Sequence, residues 1–192
     1  MFTGIIEEIG SVTKNQSGEL KVSCMKLLSD AQYGDSIAVN GVDLTISEIY
    51  ENELEFNVMP ETFRKSNLLN AVEGTKVNLE RSLTLQTKLS GHLVRGVVET
   101  TCKLISLEDE SNAIIATYEV DPTFLKYILI KGPITLDGAS LTIISKNKNC
   151  FAVSLVEWTQ QNTNLIQANI GKLVNLETDI FARYIDQLID RD

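Results

Sequence analysis

One motif occurs twice in the chain, and the spacing between its copies is constant over a long stretch. Residues 40–46 read NGVDLTI, and residues 137–143 read DGASLTI. An Asn-Gly or Asp-Gly step before alternating apolar residues predicts a tight turn that leads into a strand, because these residues tolerate positive φ. Two unrelated hairpins would explain the motifs alone. That alternative carries little weight, because the spacing of 97 residues persists far beyond them.

The repeat extends on both sides of the motif. The spacing of 97 residues also joins Ile37 with Ile134, and residues 77–80 (VNLE) with residues 174–177 (VNLE). The openings of the two copies, residues 4–7 (GIIE) and 96–99 (GVVE), match at a spacing of 92. This period is too long for a solenoid, and it predicts a duplicated domain of about 90 residues.

Short segments with alternating apolar residues, separated by Gly and Asn turns, indicate strands in both copies. The predicted strands cover residues 4–13, 20–25, 36–39, 44–50, 54–58 and 75–82, and then 94–106, 113–120, 134–136, 141–146, 151–156 and 173–178. Short helices are predicted over 63–70 and 122–130, the second with Asp121 as N-cap, and an acidic turn over 108–110. Many short strands in two copies are typical of an all-β fold with two small antiparallel barrels.

Residues 179–192 have no counterpart in the first copy. Their apolar residues recur at helical spacing, at Phe181, Tyr184, Ile185, Leu188 and Ile189, which predicts one amphipathic helix. This helix either covers one barrel or meets copies of itself in an oligomer. A terminal helix after closed barrels slightly favours the oligomer.

Composition and charge exclude several classes of protein. The net charge of −9 disfavours a nucleic-acid partner. No apolar run approaches 18 residues, so no membrane span is expected, and the first residues lack the pattern of a signal peptide. Three cysteines without a close pair indicate free thiols in a reducing, cytoplasmic compartment. One histidine and no cysteine cluster make a metal site improbable.

Beyond the repeat, four segments carry a specific resemblance to a known family. These are residues 1–7 (MFTGIIE), 34–41 (GDSIAVNG), 77–81 (VNLER) and 131–142, with KG followed by DGASLT. The chain resembles the riboflavin synthase family, including its lumazine-protein branch, over essentially its whole length. The resemblance implies two tandem six-stranded Greek-key β-barrels and a C-terminal oligomerisation helix. The implied units are residues 1–92, 93–179 and 180–192.

The resemblance also implies an activity and its partners. Two molecules of 6,7-dimethyl-8-ribityllumazine, one in each barrel, would react by transfer of a four-carbon unit to give riboflavin and a ribitylaminopyrimidinedione. No cofactor or metal is required, although 6,7-dimethyl-8-ribityllumazine, riboflavin or FMN can occupy the sites. The family assembles as homotrimers with active sites between subunits, and lumazine synthase is a further candidate partner.

Site residues follow from the same resemblance. The N-terminal pocket is expected to use Gly4, Ile5, Ile6, Asp43, Leu44, Thr45, Asn57, Met59, Glu61 and Thr62, and to be closed by Gly96, Val97 and Val98. The C-terminal pocket is expected to use Lys131, Ser140, Leu141, Thr142, Ser154, Val156 and Thr159. The expected catalytic residues are Ser140, Asp179, His92 and Asp43. The hydroxyls of Thr45 and Thr142 are the leading candidates for hydrogen bonds to the ring edge, although the repeat alone also allows both to be ordinary β-branched strand residues.

Two residues depart from the family pattern where chemistry is expected. Asp43 stands where the family usually has a cysteine, and Val97 stands where it usually has a second histidine. Valine cannot transfer a proton, whereas a buried aspartate with a raised pKa can act as a base. Two functions therefore remain open: a riboflavin synthase, with activity lowered by these changes, or a lumazine- or flavin-binding paralogue without turnover.

Overall fold

The computed structural model describes residues 1–189, which contain twelve strands and three α-helices. The first six strands are β1 (Glu8–Gln16), β2 (Glu19–Ser23), β3 (Ser36–Val39), β4 (Val42–Ile49), β5 (Glu53–Asn57) and β6 (Lys76–Arg81). The next six are β7 (Thr100–Glu110), β8 (Ala113–Glu119), β9 (Pro133–Leu136), β10 (Ala139–Lys146), β11 (Cys150–Val156) and β12 (Leu173–Thr178). The α-helices are α1 (Pro60–Lys65), α2 (Glu157–Asn162) and α3 (Ile180–Ile189).

The strands form two closed antiparallel barrels with the same topology, which confirms the predicted fold class. The first barrel has the order β1-β2-β5-β4-β3-β6, and β7 to β12 follow the same order in the second. The connections that place β5 beside β2 and β6 beside β3 make each barrel a Greek key. Each barrel encloses its own apolar core, which contains Phe56 in the first barrel and Phe151 in the second. The barrel interiors are therefore packed, and ligand sites must lie outside them.

The repeated Asn-Gly and Asp-Gly steps form the predicted tight turns. Asn40 and Gly41 have φ values of 47° and 77°, and Asp137 and Gly138 have values of 43° and 83°. Positive φ at both central residues defines the type I′ turn, whose twist matches that of a hairpin. The two turns also pack on each other, because a Cβ on Gly41 would lie 2.7 Å from the Gly138 nitrogen. Glycine is therefore required at this contact between the barrels by conformation and by space.

Replacing Gly41 with alanine is expected to lower the free energy of unfolding by about 2 kcal/mol. Gly34 supplies a matched control, because its φ is 87° and a Cβ there meets no atom within 4 Å. Gly34→Ala carries only the cost of the left-handed conformation, about 1 kcal/mol. Urea unfolding of both variants checks this difference. Equal losses would show that the contact between the two turns does not restrict residue 41.

Polar side chains join the two barrels in a group that we call the central network. Its members are repeat mates at a spacing of 97, namely Asn40 with Asp137, Asn67 with Asn164, and Asn78 with Asn175. Asn78 Nδ2 donates to the Asp137 carbonyl at 2.9 Å, and Asn175 Nδ2 donates to the Asn40 carbonyl at 2.9 Å. The two barrels are thus held together by reciprocal hydrogen bonds between equivalent residues.

This symmetry breaks at one hydrogen bond of the central network. Asn40 Nδ2 donates to Asn67 Oδ1 at 3.3 Å. The equivalent atoms are Asp137 Oδ2 and Asn164 Oδ1, and within residues 1–189 neither has a hydrogen-bond partner. Both atoms are acceptors when Asp137 is ionised, so they lack a proton to share.

Several predicted boundaries are wrong in an informative way. Strands β1 and β7 begin at Glu8 and Thr100, later than predicted, because residues 4–6 and 96–98 pack against the other barrel. Residues 108–110 lie within β7 rather than in a turn, and the turn follows at Ser111, with φ at 55°. The pairing of β7 with β8 continues through these charged residues as far as Glu110 and Ala113, and all three of their side chains are exposed.

The short helices also differ from the prediction. The helix predicted over 63–70 is instead α1, begun by Pro60, followed by a 3₁₀ helix at Asn67–Asn70. Its repeat mate α2, which begins 97 residues later at Glu157, was not predicted. The segment after Asp121 is a 3₁₀ helix at Pro122–Tyr127, and Asp121 caps it as predicted by accepting from the Thr123 nitrogen at 2.9 Å.

Helix α3 turns its polar face towards the second barrel. Arg183 Nη2 donates to Glu99 Oε2 at 2.7 Å, and Asp186 accepts from Tyr127 Oη at 2.7 Å. The five apolar residues of the predicted stripe are exposed: Phe181, Tyr184, Ile185, Leu188 and Ile189. The stripe therefore does not cover the barrel, and the last three residues of the predicted helix lie outside the described residues. Within residues 1–189, no helix has the length and apolar character needed to cross a membrane.

Candidate functional site

The segments that precede β1 and β7 are exchanged between the barrels. We call residues 3–6 the first crossover segment and residues 95–98 the second. The Gly4 carbonyl accepts from the nitrogen of Ser140 on β10 at 2.8 Å, and Ile6 belongs to the core of the second barrel. The Gly96 carbonyl accepts from the nitrogen of Asp43 on β4 at 2.9 Å. Each barrel therefore carries on its outer face a segment that leads into the other barrel.

This exchange corrects one expectation. The sequence assigned Gly4, Ile5 and Ile6 to the N-terminal pocket, but the structure places Gly4 and Ile6 against the second barrel. The match between residues 4–7 and 96–99 shows that the segments are equivalent, and it carries no information on which barrel each one contacts. Glycine is needed in both places, because a Cβ on Gly4 or Gly96 would lie 2.6 Å from the Cβ of Ser140 or Asp43.

A cleft of about 470 Å³ lies on the outer face of the first barrel, between β4, α1 and the second crossover segment. Its lining residues are Ser36, Val42, Asp43, Thr45, Met59, Glu61, Thr62, Lys65, Gly96, Val97 and Val98. The volume falls in the range of small-molecule sites. Most residues expected in the N-terminal pocket thus come together here. Leu44 points into the barrel core instead, because side chains alternate along a strand.

The residues expected in the C-terminal pocket lie on the second barrel where their repeat mates lie on the first. Ser154, for example, is the repeat mate of Asn57. The register pairs Ile143 with Val153, so Thr142 and Ser154 are neighbours on the outer face of the second barrel. Ile46 pairs with Phe56 in the same way, which places Thr45 beside Asn57. Thr159 lies on α2, as Thr62 lies on α1. Leu141 belongs to the core, Val156 ends β11, and Lys131 lies exposed in a turn with φ at 67°.

Ser140 and His92 form a hydrogen-bonded pair at the second barrel. His92 Nδ1 lies 2.7 Å from Ser140 Oγ, and its Nε2 lies 3.2 Å from Thr135 Oγ1. Both ring nitrogens thus have hydroxyl partners, which fix the orientation of the ring. The preceding Gly91 allows this approach, because a Cβ there would lie 2.2 Å from the Thr3 carbonyl oxygen. A hydroxyl, an imidazole and a third group that orients the imidazole form the arrangement of an activated nucleophile.

The electrostatic surroundings keep His92 ready to accept a proton. Burial lowers the pKa of His92 below its ordinary value, and the nearby Asp179 carboxylate opposes that change. The imidazole is therefore neutral at neutral pH, as a general base must be. Asp179 also begins α3, where its Oδ1 accepts from the Phe181 nitrogen at 3.1 Å. A carboxylate near the ring favours the imidazolium that forms when a proton is taken up.

The two departures from the family pattern lie together at the first barrel. Asp43 and Val97 both line the cleft there, on β4 and on the second crossover segment. Both side chains are exposed, so Asp43 does not have the burial on which its expected role as a base depends. The Ser140–His92 pair lies at the second barrel. The two residues that depart from the family pattern are thus at one barrel, and the retained Ser140–His92 pair is at the other.

Three residues near the sites were not singled out from the sequence. Thr135 has Ala38 as its repeat mate, so the duplication gives no signal for it. Glu80 and Glu177 are repeat mates, each only 3% exposed, and their carboxylates bind the backbone of the crossover segments. The sequence signal for these two residues was the glutamate that ends the VNLE motif in both copies of the repeat.

Comparison with known proteins agrees with this architecture. The family model described as the lumazine binding domain matches residues 3–82 and again residues 95–179. The chain is 37% identical to the riboflavin synthase of Bacillus subtilis (strain 168) over 195 residues, covering 100% of this chain and 91% of that protein. It is 38% identical to the riboflavin synthase of Saccharomyces cerevisiae over 205 residues, covering 98% of this chain and 86% of that protein.

Solved structures show the same fold at lower identity. LumP complexed with riboflavin superposes with a TM-score of 0.86 at 21% identity, covering 93% of this chain and 100% of that one. LumP complexed with 6,7-dimethyl-8-(1'-D-ribityl) lumazine superposes with a TM-score of 0.83, also at 21% identity, covering 93% of this chain and 99% of that one. Two lumazine binding domains and full-length relatives well above 30% identity place this chain in the riboflavin synthase family.

Proposed function

We propose that this chain is a riboflavin synthase, a transferase that converts two molecules of 6,7-dimethyl-8-ribityllumazine into riboflavin and a ribitylaminopyrimidinedione. The observation that carries the proposal is that the site residues of the two barrels lie at equivalent outer-face positions, with Thr45 beside Asn57 on one and Thr142 beside Ser154 on the other. A reaction between two copies of one compound needs two similar sites. Relatives that match the whole chain are riboflavin synthases, and a related fold binds lumazine, riboflavin or flavin mononucleotide.

The chemistry requires a proton to leave the acceptor molecule and a nucleophile to add to the donor ring. Ser140 and His92 supply a hydroxyl and a neutral base at 2.7 Å. We assign them proton transfer and nucleophile activation at the second barrel, with Asp179 supporting the imidazolium. Asp43 takes the position of the expected catalytic group at the first barrel. The backbone and hydroxyls of the site strands, with Thr45 and Thr142 foremost, bind the amide-like edge of each ring.

Helix α3 supports an oligomer in this proposal. A stripe of five apolar side chains on one face is exposed, while the polar face is occupied by the barrel. Exposed apolar patches mark interaction surfaces. We propose that α3 joins three subunits in a homotrimer in the cytoplasm. The functional units are then residues 1–92, 93–179 and 180–192, with lumazine synthase as a further candidate partner.

Absorbance and fluorescence of purified protein incubated with 6,7-dimethyl-8-ribityllumazine test the function. We expect the lumazine spectrum to be replaced by that of riboflavin over minutes to hours. A bound but unchanged lumazine spectrum would contradict the enzyme and indicate a binding paralogue. In that case Asp43→Cys combined with Val97→His is the informative variant, because these two residues carry the departures in the first cleft.

A further inference from the structure

Each barrel has one buried glutamate on its last strand, Glu80 on β6 and Glu177 on β12. Both are 3% exposed. Burial of a carboxylate costs free energy unless hydrogen bonds replace its hydration. The proposed reaction uses neither residue as an acid or a base, so their burial needs another reason.

The hydrogen bonds of both glutamates lead to the crossover segments. Glu80 Oε1 accepts from the Thr3 nitrogen at 2.7 Å, and its Oε2 accepts from the Gly4 nitrogen at 3.0 Å. Glu177 Oε1 accepts from the Arg95 nitrogen at 2.8 Å, and its Oε2 accepts from the Gly96 nitrogen at 3.0 Å. Each carboxylate therefore binds successive backbone amides with both oxygens, in equivalent geometry.

The crossover segments held in this way form part of the site on the opposite barrel. Glu177 belongs to the second barrel, but Gly96 and Val97 line the cleft on the first barrel. Val97 is held by the same carboxylate, because its nitrogen donates to Glu177 Oε2 at 2.9 Å. Glu80 belongs to the first barrel, but Gly4 contacts Ser140 on the second.

Glutamine is a suitable isosteric probe of this arrangement. A carboxylate accepts through both oxygens, whereas an amide accepts through one atom and donates through the other. In Glu177→Gln, at least one backbone N–H therefore faces an amide N–H and loses its partner. Loss of a hydrogen bond to a charged group changes the equilibrium constant of the interaction by a factor of about 10 to 150. The change is confined to the crossover segment, because the side chain keeps its size.

We propose that Glu177 and Glu80 are positioning residues that act across the barrels. Glu177 holds the wall of the first-barrel ligand site, and Glu80 holds the wall of the second. This inference rests on the proposed function, because it takes the two outer-face sites as the places where lumazine or flavin binds. It predicts that a change in one barrel impairs ligand binding on the other.

Isotope-labelled riboflavin tests the inference on the full-length protein, because ligand in two different environments gives two sets of NMR signals. Ser140→Ala identifies the set of the second barrel, since Ser140 lies at that site. We expect Glu177→Gln to lower the riboflavin affinity of the first-barrel site about tenfold, which corresponds to 1.4 kcal/mol. The second-barrel affinity stays within twofold. Glu80→Gln is expected to show the converse.

Control variants separate positioning from general destabilisation. Glu108→Gln changes an exposed glutamate on β7 and should leave both affinities unchanged. If Glu177→Gln does not fold, Gly96→Ala displaces the same wall without touching the glutamate, because its Cβ would lie 2.6 Å from the Asp43 Cβ. Gly34→Ala is the control for the cost of alanine at positive φ, because Gly34 has a φ of 87°.

The outcomes distinguish the inference from the function on which it rests. Equal losses at both sites, a loss confined to the glutamate's own barrel, or unchanged affinities would overturn the positioning role while riboflavin formation by the wild type stands. Hydrogen exchange of the free protein gives an independent reading. The Gly96 and Val97 amides should exchange at least tenfold faster in Glu177→Gln, and unchanged exchange would also overturn the inference.

Discussion

Replacing His92 with glutamine is expected to lower the rate of riboflavin formation by about 10²- to 10⁴-fold. His92 Nδ1 lies 2.7 Å from Ser140 Oγ, and burial lowers its pKa, so the neutral ring can accept a proton. Glutamine can keep a hydrogen bond to Ser140 but cannot act as a base at neutral pH. Steady-state kinetics measures kcat, and a separate titration should show lumazine affinity nearly unchanged.

A double variant shows whether His92 and Ser140 act together. Ser140→Ala should lower kcat on the same scale as His92→Gln, and the double variant should be little slower than either single variant, because groups that act as a unit are not additive. Ser145→Ala, which removes an exposed hydroxyl from the same strand, serves as a control. A His92→Gln enzyme within threefold of the wild-type rate would refute the assignment of a base.

The pH dependence of kcat/KM gives an independent check on His92. Because the base must be neutral, kcat/KM should fall as pH falls through a pKa below the ordinary value of 6.5. The Asp179 carboxylate raises that pKa, so Asp179→Asn should move the acid limb to still lower pH. A limb that moves to higher pH, or no change, would contradict the placement of Asp179 beside the pair.

Replacing Asp137 with asparagine is expected to raise the free energy of unfolding by up to about 3 kcal/mol at pH 8. Complete burial raises the pKa of Asp137 to about 6 from its ordinary value of 3.8. An aspartate with a raised pKa in the folded state stabilises the fold when protonated. That stabilisation is fully present below pH 3.8 and is lost as pH rises through 6. At pH 8 the wild-type protein therefore holds a charged, buried carboxylate.

Asparagine at position 137 would also complete the central network. Its Nδ2 can donate to Asn164 Oδ1, as Asn40 Nδ2 donates to Asn67 Oδ1 at 3.3 Å. Urea unfolding at pH 8 and at pH 4 measures the effect. The variant should be more stable at pH 8, and the difference should shrink at pH 4. Asp109→Asn, at an exposed position of β7, should show no such difference. An Asp137→Asn protein less stable than wild type at pH 8 would contradict this account.

The duplication made the architecture accessible from the sequence. Its constant spacing of 97 residues predicts two barrels of the same topology, and the type I′ turns at residues 40–41 and 137–138 follow from local preferences of Asn, Asp and Gly. The apolar stripe of α3 was also evident from its helical spacing. These features depend on residues close in sequence, whose periodicity reveals which face is buried.

The exchange of the crossover segments was not accessible in the same way. Residues 4–7 and 96–99 have equivalent sequences, so either barrel would accept either segment on sequence grounds. Their placement depends on tertiary contacts of Glu80 and Glu177, at separations above 70 residues, and on the contacts of Gly4 and Gly96 with the opposite barrel. Outward-facing site residues such as Thr45 and Thr142 follow from strand alternation, whereas the contact of Thr135 with His92 depends on a loop that the repeat does not contain.

The reaction stoichiometry tests the central claim most directly. Purified protein is incubated with 6,7-dimethyl-8-ribityllumazine as the only reactant, and all species are separated and quantified by chromatography. Two equivalent sites that transfer a four-carbon unit predict that two lumazine molecules disappear for each riboflavin formed, with one ribitylaminopyrimidinedione released. Bound lumazine recovered unchanged, or riboflavin formed without the pyrimidinedione in equal amount, would contradict the claim that the two barrels supply the donor and acceptor sites of one reaction.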